Sequence, residues 1–145
     1  MFQNFKRKKS TGNKENIVSL PAEDEILETY QEAAQKYLDY LIDFIQSHER
    51  NEKLFRYTVK ALFMEDDDGE HMWVQVDGFK EGFFIGRLAN EPETLTMLKW
   101  GDQVKVAREN VEDWILEDFT RNEEFGNFSL KYIEDKARQT NKEVN

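Results

Sequence analysis

Between Ile26 and Ile45 the large apolar residues recur every third or fourth position: Ile26, Leu27, Tyr30, Ala33, Ala34, Tyr37, Leu38, Leu41, Phe44 and Ile45. That period lines them along one stripe of a helix, with Glu28, Glu32, Lys36, Asp39 and Asp43 largely opposite. Ahead of the stripe Ser19 can cap, Pro21 suits a first turn, and Glu23, Asp24 and Glu25 stand where the helix dipole favours acids. The spacing predicts one amphipathic helix from about Ser19 to His48, docked by its stripe on the molecule's own sheet.

After the charged break from His48 to Lys53 the period becomes two. Phe55, Tyr57, Val59, Ala61 and Phe63 alternate with Arg56, Thr58 and Lys60, the pattern of a half-buried strand. Glu65 to Glu70 read as a solvated hairpin tip, after which Met72, Val74 and Val76 alternate with Trp73 and Gln75. Gly78, Gly82 and Gly86 surround a short strand from Phe83 to Leu88, which Asn90 and Pro92 end because proline cannot donate to a ladder. Gly101-Asp102 is a second turn before Val104 and Val106. Val111, Trp114 and Ile115 have helical spacing over a single turn, and Phe128 to Ala137 fits a strand or a helix equally well. The fold class expected is α+β: an N-terminal amphipathic helix packed on a small curled antiparallel sheet of about five strands, with a short C-terminal helix or strand.

The chain has 145 residues, enough for one domain, and 39% of them are hydrophobic, too many for a wholly disordered polypeptide. With 30 acids against 20 lysines and arginines the formal charge is −10. The excess is uneven. Lys6, Arg7, Lys8, Lys9 and Lys14 meet only Glu15 in the first sixteen residues, so residues 1–18 are expected to be a basic, disordered tail. Residues 19–137 form the single α+β domain, and residues 138–145 a polar C-terminal tail. The domain's acidity argues against nucleic acid as a partner, and an anionic membrane would be met only weakly, by the basic tail. An acidic surface suits a basic protein partner. There is no cysteine, which removes disulfides, thiolate metal sites and a cysteine nucleophile, and fits a cytoplasmic location. No apolar run approaches the roughly 18 residues of a membrane span.

Candidate chemistry is sparse. The acids from Glu65 to Glu70 lack calcium-loop spacing, since a loop starting at Asp66 would need glycine where His71 stands. The three spaced glycines make no dinucleotide fingerprint, and neither a phosphate loop nor a serine nucleophile elbow occurs. No cofactor and no metal is expected, and no residue is assigned as catalytic. His71 lies two positions before Trp73, so the two share a face of their strand. The expectation is a histidine that packs beside Trp73 and hydrogen-bonds the backbone or Asp113. Asp113, beside Trp114, is read as capping a turn.

The ordered elements Val59-Lys60, Glu70-His71-Met72-Trp73-Val74, Gly86 with Leu88, Asn90 and Pro92, Gly101-Asp102 with Val104, Asp113-Trp114, and Gly126-Asn127-Phe128-Ser129-Leu130-Lys131 resemble the bacterial domain of unknown function family 2314. The resemblance covers roughly residues 30–131. It implies a compact domain of helix plus antiparallel sheet and carries no established activity. The matched polar and aromatic positions, His71, Trp73, Asn90, Asp113 and Trp114, are the candidate binding residues. Two readings follow. The first is a non-enzymatic protein-binding or regulatory module, of the kind in which an immunity protein neutralises a basic toxin. The alternative is a small enzyme or ligand-binding domain with a pocket around those five residues.

Overall fold

The computed structural model describes residues 23–144. The basic segment 1–18 and the expected cap at Ser19 and Pro21 lie outside the described residues. Two helices come first, α1 (Glu23–Lys36) and α2 (Leu38–Ser47), followed by strands β1 (Phe55–Glu65), β2 (Asp68–Lys80), β3 (Phe83–Leu88), β4 (Gln103–Ala107), β5 (Asp113–Asp118) and β6 (Glu123–Gly126). Helix α3 (Phe128–Val144) closes the described chain. The strands form one sheet in the order β4-β3-β2-β1-β5-β6, every neighbour antiparallel.

The long hairpin β1–β2 sets the register of everything else. Val59 stands opposite Val74 on one side and Trp114 on the other, so these share one face with Tyr57, Ala61, Met72 and Leu116. Against that face α1 and α2 contribute Ala34, Leu38, Leu41 and Ile42, and the cluster continues to Phe84 and Leu88 on β3. Each aliphatic side chain fully withdrawn there contributes about 1.5–3 kcal/mol. Most of the hydrophobic stripe read from the sequence is therefore spent inside the molecule, while Tyr37 is half exposed.

The expected single helix is two. Tyr37 leaves helical geometry, with φ −106° and ψ 11°, although no proline or glycine is near. The indole N–H of Trp114 donates to the carbonyl of Ala34 at 3.0 Å, the group that an unbroken helix would offer to the amide of Leu38. A side chain entering the ladder at that point accounts for the break. Only the partner on β5 reveals it, so local spacing could not.

The sheet also departs from expectation. It has six strands rather than about five and is open, with β4 and β6 as its edges. Val111, Trp114 and Ile115 are not a helical turn: Arg108–Asn110 make one 3-10 turn, and Trp114 and Ile115 belong to β5. The supposed hairpin tip is shorter, because Glu65 ends β1 and Glu70 lies within β2. Phe128 to Ala137 is helical, and α3 continues through the expected polar tail to Val144. Gly126 makes the reversal into α3 at φ +86°, where a Cβ would lie 2.3 Å from the carbonyl oxygen of Trp114. Only glycine fits there.

Candidate functional site

The second face of the sheet carries the polar groups. Trp73 on β2, Lys60 on β1 and Asp113 on β5 are successive partners in one cross-strand row, and His71 shares a face with Trp73. All are buried, Asp113 completely and Lys60 to 1% exposure. A buried lysine needs partners, since an uncompensated charge away from water is expensive. Lys60 Nζ donates to the hydroxyl of Tyr30, from α1, at 2.8 Å. Burial lowers the Lys60 ammonium, with Glu112 and Asp113 acting against it. Burial raises the Tyr30 phenol, and the same two carboxylates push it further.

His71 meets Glu112 rather than Asp113: its Nδ1 shares a hydrogen bond with Glu112 Oε1 at 2.6 Å, both side chains being buried. Glu112 precedes β5 and is held by its own amide, which donates to the Lys60 carbonyl at 2.8 Å. Asp113 is committed to the start of α3. Its carboxylate accepts from the amides of Phe128 and Ser129, each at 2.9 Å, and from the Ser129 hydroxyl at 2.6 Å. It is the helix cap, supplied from a strand fifteen residues upstream. Burial raises the Asp113 carboxyl above the ordinary aspartate value, with the Ser129, Phe128 and Trp114 donors opposing that rise.

Asn90 does backbone work. Beyond the end of β3, Ala89 N–H donates to the Trp73 carbonyl at 2.8 Å and Asn90 Oδ1 accepts from Trp73 N–H at 2.5 Å. The side-chain amide thus supplies one more rung to β2 after the strand has ended. Trp114 stands on the opposite face, opposite Val59. The five candidate residues are accordingly divided: His71, Trp73 and Asp113 share a face, Asn90 bonds the β2 backbone, and Trp114 belongs to the apolar core.

Two acids not singled out from the sequence hold the chain between β3 and β4. Glu70, fully buried, accepts from the amides of Glu93, Thr94 and Leu95 at 2.8, 2.9 and 3.1 Å. Glu65 accepts from the amides of Thr96 and Met97, the latter at 2.7 Å, and these bonds hold its carboxyl below the usual range. Lys60, Tyr30 and Glu112 were likewise missed. Lys60 sat among the polar positions of its strand, and nothing local distinguished it from Arg56 or Thr58. A shallow cleft of about 330 Å³ lies elsewhere, lined by Lys80, Glu81, Phe83, Ile85 and Lys105, and none of the five candidates borders it. Among the described residues no group of three His, Cys, Asp or Glu is placed to hold a metal ion, and no helix is long and apolar enough to cross a membrane.

These features define an α+β domain whose buried carboxylates pair with a histidine or serve as caps and backbone clamps. The chain belongs to the family described as an uncharacterized protein conserved in bacteria (DUF2314), whose model matches residues 23–144. It is similar to the uncharacterized protein YegJ of Escherichia coli (strain K12), with 26% identity over 98 residues, 67% of this chain. The match spans 60% of that relative's length. No solved structure matches the chain.

Proposed function

We propose that the chain is a non-enzymatic protein-binding module of the immunity type, engaging a basic protein partner by complementary charge. The observation that carries this reading is the division among the carboxylates. Glu70, Glu112 and Asp113 are buried and spent on holding amides, a histidine and a helix terminus. The remaining acidic excess of a chain with formal charge −10 is left for the surface. There Asp66, Asp67 and Asp68 are exposed at the hairpin tip, and Glu123 and Glu124 on edge strand β6. A field of that sign steers cationic surfaces and repels nucleic acid. The absence of cysteine fits a reducing compartment, and the reading takes the chain to be cytoplasmic.

The test is capture from native extract on the immobilised full-length chain, at low and at high salt, followed by identification of what is retained. A specific protein of pI above about 9 that is released by salt is the expected result. Retention of acidic proteins only, or of nothing, counts against the reading.

A further inference from the structure

The connection from Ala89 to Asp102 runs fourteen residues between β3 and β4 without helix or strand. Connections of that length inside compact domains are uncommon and are usually functional. This one is pinned along its length: by Asn90 on the Trp73 amide, by Glu70 on three amides, by Glu65 on two, and by buried Leu95. Its far end closes on the strand it left, Gly101 N–H donating to the Leu88 carbonyl and Leu88 N–H to the Asp102 carbonyl, both at 2.8 Å.

A backbone held so firmly nevertheless turns its two largest apolar side chains outward. Met97 is 78% and Trp100 66% exposed, the most exposed large hydrophobic residues among those described. Neither contributes to the apolar core, so folding does not account for them. A rigid loop that presents an indole and a thioether loses little freedom on association, and tryptophan is among the commonest energetic anchors of interfaces. The surroundings select the occupant. Residues 65–68 are all acids, and the Glu65 clamp ties that tip to the connection. On the connection itself Glu91, Glu93 and Asp102 outnumber Lys99.

We infer that Met97 and Trp100 on the clamped connection, beside the acidic β1–β2 tip, are the docking surface for a basic, apolar-faced segment of a protein partner. This rests on the protein-binding reading and gives it a location. The partner's aliphatic side chains cover Met97 and the indole of Trp100, and its lysines and arginines meet the carboxylates and the face of the indole ring.

The probe is a synthetic amphipathic peptide of Lys, Arg and Leu, with a Lys, Arg and Ser peptide of equal charge as its comparison. Trp73 and Trp114 are buried, so Trp100 dominates the part of the emission that responds to a surface ligand. Binding of the Leu-containing peptide to the full-length chain is expected to shift that emission to the blue and to protect it from a soluble quencher. By calorimetry, M97A/W100A is expected to weaken binding at least tenfold at an unchanged thermal midpoint, while F83A, on the far side of β3, binds as the parent does. W100Q provides the same comparison should the double variant melt early. Unchanged affinity in M97A/W100A and W100Q, or equal affinity for the Ser-containing peptide, overturns the docking surface and leaves the charge-based reading standing. No binding of either basic peptide to the parent chain defeats that reading itself. A parent chain that self-associates in sedimentation, with W100Q monomeric, replaces the basic partner by a second copy of this chain.

Discussion

Val59 and Lys60 are neighbours on β1, both withdrawn from water, and they belong to opposite faces of the same sheet. Val59 stands opposite Val74 and Trp114 in a core cluster that also holds Leu38 and Leu41, and there what matters is volume. Around Lys60 stand Tyr30, Glu112 and Asp113, and what matters is that each group retains its partner. Equal burial thus conceals two kinds of cohesion. The apolar face yields gradually as atoms are removed, whereas the polar face resists the loss of one member and tolerates the loss of a whole set.

The sharpest test removes Asp113. Asp113→Ala leaves the Phe128 and Ser129 amides and the Ser129 hydroxyl without their acceptor at the root of α3. A cost of about 3–5 kcal/mol in chemical denaturation is expected, with helical signal lost first. On the other face Leu41→Ala, at a fully buried site, should cost about 2–5 kcal/mol without selective loss of α3. If Asp113→Ala costs less than Leu41→Ala and α3 survives, the cap is incidental and the comparison fails.

His71 comes next. From sequence, His71→Ala would cost the roughly 1 kcal/mol of an ordinary hydrogen bond. The partner found, a buried Glu112 at 2.6 Å, raises that expectation to about 2–3 kcal/mol, because the carboxylate is left behind. Replacing both residues by leucine should recover most of the loss, as buried pairs often tolerate apolar substitution. A double variant no better than the single one would mean that His71 and Glu112 are not coupled. Lys60→Met should be smaller but still costly, about 1–2 kcal/mol, since it leaves the Tyr30 hydroxyl without its hydrogen bond and Glu112 and Asp113 without the cation beside them.

The apolar face was legible because periodicity reports it: the alternation from Phe55 to Phe63 and from Met72 to Val76, and the stripe through Leu38 and Leu41, depend only on near neighbours. The buried polar groups were not, because their meaning lies in partners far along the chain. Glu112 is 41 residues from His71, and Glu93 is 23 from Glu70. Glu70 reads as a solvated acid because acids surround it, and Trp114 as a helical position because its strand is short and follows a 3-10 turn. The shared face of His71 and Trp73 followed from spacing alone, yet spacing could not say that Trp114 would stand on the opposite face. No pattern marks Met97 and Trp100, since exposure is invisible where no period exists.

The smallest effect expected separates an acid near the surface, Glu65, from a buried one, Asp113, by pH. Glu65 is held below the usual carboxylate range by the Thr96 and Met97 amides, so its contribution is present above its unfolded value and fades as pH falls through its folded one. Asp113 has the opposite sign. Burial raises its carboxyl above the ordinary 3.8, so the folded state binds a proton more readily than the unfolded state does. The stability linked to that proton is fully present below the unfolded value and is lost as pH rises through the folded one. Asp113→Asn removes this titration while keeping an oxygen for the α3 amides. The parent should therefore gain on Asp113→Asn as pH is lowered from 7 towards the ordinary aspartate value, and the gap between their thermal midpoints should change in the parent's favour. Paired melting curves across that interval decide it. A gap that stays constant, or moves the other way, would show that the hydrogen bonds to Asp113 outweigh its burial, and that this carboxylate behaves like Glu65 despite being buried.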